Sequence, residues 1–292
     1  MSVGVNGRRT GGQSGPSSTR MLDIAVRLAR EAGALIRESY GTRGTVDFKG
    51  AVNPVTQTDR AAEELILSGL REAFPDHDIL GEESGAADSY AARLAAATPI
   101  WLVDPLDGTN NFAHDFPHFS VSIGLVLAGD IQLGVIYDPM RDEVFTALRG
   151  QGAFHDGAPI KVSSVTTLAE AFLATGFPYT RRVAAENNAG LLDVFLRRSQ
   201  GVRRIGSAAL DLAYVACGRF DAFWEPGLSP WDVAAGLLLI EEAGGCFSDF
   251  SGGTARVLPE GELLASNGKI HAEMLAVLRE GNGAPHPDFP SL

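Results

Sequence analysis

A chain of 292 residues with 45% apolar and 21% charged residues can bury a large core, and its ordinary composition excludes global disorder. Its formal net charge of -12 argues against a protein that grips nucleic-acid phosphates over a broad surface, which needs clustered Lys and Arg. It does not exclude anionic substrates, because bound divalent cations reverse the local sign of charge. The two cysteines, Cys217 and Cys246, show no CxxC or Cys/His spacing, so free thiols in a reducing compartment are expected. No apolar run reaches the roughly 18 residues of a membrane span, and the opening segment carries no apolar signal core. The expectation is a cytoplasmic protein without membrane contact.

Residues 1–20 lack hydrophobic periodicity and are rich in Gly, Ser and Arg, which predicts a mobile tail with the fold starting near Met21. Leu22, Val26, Ala29, Gly33 and Ile36 then recur at helical spacing, and Gly41 is a stop signal. A second helix is predicted from about Asp59, with Thr56 and Asp59 offering oxygens to its first turn, Ala62, Leu65, Ile66 and Ala73 forming the buried stripe, and Pro75 ending it. Ile100 to Val103 reads as a short buried strand running into Asp104-Pro105, where proline is expected to stop the ladder. Residues 119–148 hold three β-like runs separated by Gly129-Asp130 and by Pro139 to Asp142, the pattern of an antiparallel meander. Asp156-Gly157 marks a tight turn, AFLATGF a further strand, and helical patterns recur around 186–198, 207–217 and 231–243.

Three acidic motifs stand out: Gly81-Glu82-Glu83-Ser84, Asp104-Pro105-Leu106-Asp107-Gly108-Thr109, and Trp231-Asp232 at the opening of a helix. Alone, the first reads as a turn and the third as a helix cap. The second places two carboxylates three residues apart at a strand end, an arrangement that costs energy unless a cation sits between them. Hard oxygen donors of this kind suit Mg²⁺, and the absence of His from all three motifs disfavours zinc.

The run WLVDPLDGTNNF, with VTQTD and GEES upstream and GSAALDLAYVACGRFDAFWE and WDVAAG downstream, closely resembles the inositol monophosphatase family of metal-dependent sugar phosphatases. The resemblance spans residues 21–280 and leaves the segments 1–20 and 281–292 as tails. It implies an α/β fold, a layered αβαβα sandwich, usually dimeric, with two or three Mg²⁺ ions. Glu82, Asp104 and the carbonyl of Leu106 match ligands of a first ion, and Asp104, Asp107 and Asp232 those of a second. Thr109 and Asp59 match the pair that orients and deprotonates the attacking water. Gly108 and Thr109 match backbone donors to the phosphate, while Ala208 and Glu225 match contacts to inositol hydroxyls. Asn53 replaces the Asp of many relatives, which bears on a third metal and on the lithium sensitivity that the family implies.

The implied reaction is hydrolysis of an inositol phosphate to inositol and phosphate. Relatives acting on fructose 1,6-bisphosphate, histidinol phosphate or an adenosine bisphosphate share the metal core, but Gly206 to Trp231 resembles the inositol branch and holds no nucleotide-sized insertion. The expected partners are a small phosphorylated polyol and a second copy of the chain, with no direct nucleic acid, since Arg181-Arg182 and Arg203-Arg204 are only pairs. A regulatory partner of the transcription machinery is the non-enzymatic alternative, because some bacterial relatives bind that machinery.

Overall fold

A computed structural model describes residues 17–41, 46–48, 54–84, 90–179, 182, 187–254, 258 and 261–280. The expected tails at 1–16 and 281–292 and the substitution at Asn53 lie outside these residues, as does the side chain of Thr56. The first helix, α1 (Ser18–Ser39), starts before Met21, and the Ser17 hydroxyl accepts the Arg20 N–H at 3.3 Å. Residues 17–20 therefore belong to the fold, because a side-chain cap satisfies donors that a tail would leave to water.

The chain continues through β1 (Val46–Phe48), β2 (Pro54–Thr56), α2 (Gln57–Ala73), β3 (Asp78–Gly81), α3 (Tyr90–Leu94), β4 (Ile100–Asp107) and α4 (Thr109–Ala113). The predicted meander follows as β5 (Ser120–Leu127), β6 (Asp130–Asp138) and β7 (Glu143–Leu148), extended by β8 (Ala153–His155) and β9 (Ala158–Pro159). The second half comprises β10 (Phe172–Thr175), α5 (Ala189–Arg198), β11 (Gly201–Arg203), α6 (Ala208–Ala216), β12 (Ala222–Pro226), α7 (Pro230–Glu242), β13 (Cys246–Ser248), β14 (Glu262–Ser266) and α8 (His271–Glu280). Among the described residues no helix is long and apolar enough to cross a membrane.

Strands β3 to β9 lie side by side in chain order in one seven-stranded sheet, and a five-stranded sheet has the order β11-β10-β12-β14-β13. Helices α1 and α2 pack on one face of the larger sheet, and α6 and α7 fill the space between the two sheets. Helices α5 and α8 cover the outer face of the smaller sheet, completing an αβαβα sandwich. The middle layer follows from sequence: α7 is buried continuously from Val233 to Ile240, and a helix apolar all round must be covered on every side.

The sheet is not interrupted at Pro105. Strand β4 runs on to Asp107, pairing Asp104 with Ser122 and Asp107 with Ser120, so a bulge absorbs one extra residue. Proline is tolerated where the ladder is already broken. The bulge changes which face each residue meets. Ile100 and Leu102 join the core beside α7, whereas Trp101 and Val103 join the core beneath α1 and α2. A regular strand would send Asp104 and Asp107 to opposite faces; the bulge returns Asp107 to the side of Asp104, where it meets α6.

Helix α7 approaches the sheet closely because Gly124 and Gly134 face each other across β5 and β6. A Cβ at Gly134 would lie 2.6 Å from the Ala235 carbonyl oxygen and 2.9 Å from its Cα. Backbone cannot yield as a flexible side chain can, so Gly134→Ala is expected to destabilise by about 1–3 kcal/mol. A lower urea midpoint at unchanged m-value is the expected result.

Candidate active site

Where the bulge of β4 meets the N-termini of α6 and α7, the structure holds a cavity of about 290 Å³. Glu82 reaches it from the turn after β3, Asp104, Leu106 and Asp107 from β4, Thr109 from α4, and Ala208, Glu225 and Asp232 from the second half. Gly108 joins β4 to α4 with φ +99°, and a Cβ there would press on the carbonyl oxygens of His118 and Gly206 at 3.1 and 3.2 Å. Only glycine takes this conformation without strain.

Three of the acidic groups are held by specific donors. Asp104 accepts the Leu106 N–H at 3.0 Å. Asp107 accepts the Ser207 hydroxyl at 2.6 Å and the N–H groups of Ala208 and Ala209 at 3.3 and 2.8 Å, so a side chain of the large sheet caps a helix of the middle layer. Asp232 stands in the first turn of α7 and accepts the Ser229 N–H at 2.7 Å; the cap reading holds, and the same residue lines the cavity. Ser120 and Ser122, the strand partners of Asp107 and Asp104, contact the Ser207 hydroxyl and the Trp231 carbonyl, both at 3.2 Å. Asp59 does not line the cavity. It sits behind Thr109, whose hydroxyl lies 3.0 Å from Asp59 Oδ1 and 3.0 Å from the Leu106 carbonyl.

Among the wall residues that sequence reasoning missed are Asp211, Arg204, Ser207 and Tyr179. Asp211 lies three residues after Ala208 in α6, a spacing that returns to the same helix face and was the available signal. Arg204 read only as half of an arginine pair, and no local pattern marks Tyr179. Burial, then Glu82, Asp107 and Asp232, pushes the Asp104 carboxyl well above the usual range. Burial likewise raises Asp107 and Asp232, against the hydrogen bonds from Ser207 and Ser229. Burial raises Glu225 to about 8 and Asp211 well above its ordinary value, with Arg204 opposing both. The Tyr179 phenol is raised by burial and by the same carboxylates, Glu82 foremost.

Six carboxyl groups and one guanidinium, Arg204, thus line the cavity among the described residues. An all-oxygen donor set with so much uncompensated negative charge fits a hard divalent cation better than a soft metal. No group of three or more His, Cys, Asp or Glu among the described residues forms a preassembled metal cage. Asp107 and Asp232 direct oxygens to Ser207 and Ser229 instead, so the fit is one of donor chemistry and placement.

A model of the inositol monophosphatase family matches residues 17–283, and the chain belongs to that family. An inositol monophosphatase from Anabaena (Nostoc) sp. PCC 7120 superposes with a TM-score of 0.80 at 42% identity, over 90% of this chain and 96% of that one. Fold and family together support a phosphatase. Nus factor SuhB of Escherichia coli (strain K12) is 45% identical over 262 residues, 89% of this chain and 96% of that protein. The Pseudomonas aeruginosa protein of the same name is 46% identical over 264 residues, again 89% of this chain and 96% of that protein. These relatives overturn the expected partner set, with its exclusion of direct nucleic acid. That exclusion rested on net charge, and a sum over the whole surface does not report what one patch binds.

A carboxyl whose pKa rises on folding binds more protons folded than unfolded, so stability falls as pH climbs from the unfolded value toward the folded one. Glu225 moves from 4.5 to about 8. His118, moved by burial from 6.5 to about 4, acts in the opposite sense but only below about 6.5. Between pH 6.5 and 8, in chelator, stability is therefore expected to fall by up to about 1.4 kcal/mol per pH unit for a fully participating group. In a chain of this length that lowers Tm by roughly 2–4 °C per unit. Scanning calorimetry checks it, and Glu225→Gln should reduce the slope by that group's share, leaving the part due to Asp232, which is also raised to about 8; a flat wild-type profile would contradict the assignment.

Proposed function

We propose that the chain is a Mg²⁺-dependent phosphate monoester hydrolase acting on an inositol monophosphate. The observation that carries the reading is the Thr109–Asp59 hydrogen bond set at the edge of a cavity whose six carboxyl groups come from five separate stretches of chain. In this reading Glu82, Asp104 and the Leu106 carbonyl hold one Mg²⁺, and Asp104, Asp107 and Asp232 hold a second. When bound, the ions supply Lewis-acid neutralisation of phosphoryl charge and a lowered water pKa.

The chain's own residues handle the proton and the substrate. With its hydrogen donated to Asp59 across 3.0 Å, the Thr109 oxygen has lone pairs left to accept a hydrogen bond from the attacking water. As the water attacks phosphorus and the P–O bond to the inositol oxygen breaks, the water proton passes to Thr109 while the Thr109 proton passes to Asp59, and the leaving inositol oxygen takes up a proton from solvent. A hydroxyl alone is too weak a base for this step. Gly108 and Thr109 direct backbone N–H groups to the phosphate, and Ala208 and Glu225 meet the polyol hydroxyls. Family membership and the likeness to the Anabaena inositol monophosphatase support the substrate class.

The name Nus factor SuhB, carried by the Escherichia coli and Pseudomonas aeruginosa relatives, favours a second role as a factor acting through a binding partner. Co-purification of transcription machinery with a hydrolytically dead variant tests that role separately from turnover.

For hydrolysis, Asp107→Asn keeps the side-chain shape and removes charge. Turnover at limiting Mg²⁺ should fall at least ~100-fold, equivalent to ~2.7 kcal/mol in the barrier, with an unchanged far-UV spectrum. Near wild-type turnover would sink the two-ion assignment. Glu225→Gln separates recognition from chemistry. At saturating Mg²⁺ it should lower kcat/KM for inositol 1-phosphate by the equivalent of about 1–3 kcal/mol and affect glycerol 2-phosphate much less. Equal losses for both esters would remove Glu225 from specificity.

A further inference from the structure

Glu63 is a buried carboxylate on α2, one turn beyond Asp59. Its neighbours Ala62 and Ile66 belong to the core beneath the large sheet, and a charged group in such surroundings is costly unless it is hydrogen-bonded. Its Oε1 accepts the N–H of Glu83 at 2.9 Å and that of Ser84 at 3.3 Å. The N–H of Glu82 itself binds the Val103 carbonyl of β4 at 3.1 Å. The backbone is thus pinned on both sides of the Glu82 side chain, by a strand before it and by Glu63 after it.

Gly81 makes this contact feasible. A Cβ there would overlap the Glu63 Oε1 atom and lie 2.8 Å from its Cδ, so any larger residue would push the carboxylate off the turn. Asp59 and Glu63, four residues apart, share one face of α2. The first is hydrogen-bonded to Thr109 and the second holds the turn carrying Glu82. One rigid helix therefore sets the relative position of two groups that reach the cavity from different segments.

We infer that Glu63 is a positioning residue: it fixes Glu82 toward the cavity, and with it the affinity for the divalent cation, without touching substrate. This rests on the proposed reading in which Glu82 is a Mg²⁺ ligand. Partners behind a metal ligand typically control affinity by about 10–100-fold.

The test is calorimetric titration of the purified full chain with Mg²⁺ alone, in parallel with ester hydrolysis. Glu63→Ala should raise the Mg²⁺ Kd by at least ~10-fold while KM for the ester at saturating Mg²⁺ stays at the wild-type value. Glu63→Gln, which keeps an acceptor oxygen for both N–H groups, should recover most of the affinity. Gly81→Ala, which displaces Glu63 without removing it, should reproduce the Mg²⁺ defect, and it decides the matter if Glu63→Ala does not fold. Wild-type Mg²⁺ affinity in the alanine variants, even with lowered Tm, would make Glu63 merely structural and overturn the inference. A Glu63→Gln variant as impaired as Glu63→Ala would overturn it too. An absence of Mg²⁺ binding by the wild-type chain would instead overturn the underlying reading, and this inference with it.

Discussion

Carboxylates crowded at one buried cavity repel, and much of the surrounding architecture answers that repulsion. Two like charges 4 Å apart cost about 4 kcal/mol at an effective dielectric of 20, and this cavity collects six carboxyl groups against one guanidinium among the described residues. Part of the compensation comes from helix ends. Asp107 lies at the N-terminus of α6 and Asp232 in the first turn of α7, where unsatisfied N–H groups and the helix dipole favour negative charge. The same hydrogen bonds join the sandwich, since Asp107 belongs to the large sheet and α6 to the middle layer. Against the remainder the cavity sets a single guanidinium, Arg204, among the described residues, which makes a hard cation the natural complement.

Legibility from sequence followed the range of the interactions. The meander from β5 to β7 was readable because turn residues at Gly129 and Asp142 punctuate apolar runs, and α7 because it is apolar around its circumference. The motif Asp104 to Thr109 stood out because two carboxylates and a glycine at a strand end have a local meaning. Pro105 was misread because its tolerance depends on the pairing of β5, which lies some fifteen residues further on. The roles of Asp59 and Glu225 came through family resemblance rather than through their neighbours in sequence. Arg204 and Tyr179 were invisible, because nothing local distinguishes an arginine or tyrosine facing a cavity from one facing water.

Charge was informative about chemistry and misleading about partners. An acidic balance was compatible with a cation site, and the structure gathers the acids accordingly. The same balance was read as excluding nucleic acid, yet relatives covering nearly the whole chain bear the name of a Nus factor. Net charge governs long-range attraction, whereas recognition depends on the arrangement of groups on one surface. One fold can carry both a site for chemistry and a surface for docking, because function lives in sites rather than in the fold itself.

The bulge between Asp104 and Asp107 sets a rule about chain length. Side-chain exchanges at Pro105 or Leu106 alter packing, but inserting one residue into β5 between Ser120 and Ser122 would pair the strands one to one, restore the regular pleat over three residues and turn Asp107 toward α1 and α2. That single insertion would take an acid from the cavity and bury it among aromatic and aliphatic side chains, while removing the Asp107 oxygens that accept the N–H groups of Ala208 and Ala209 at the start of α6. In evolution or in design, the two facing stretches can therefore drift in letters, but β5 cannot grow to match the count of β4. A graft of the motif onto another sheet must bring along Ser120 and Ser122, the two residues against which its irregular register is measured.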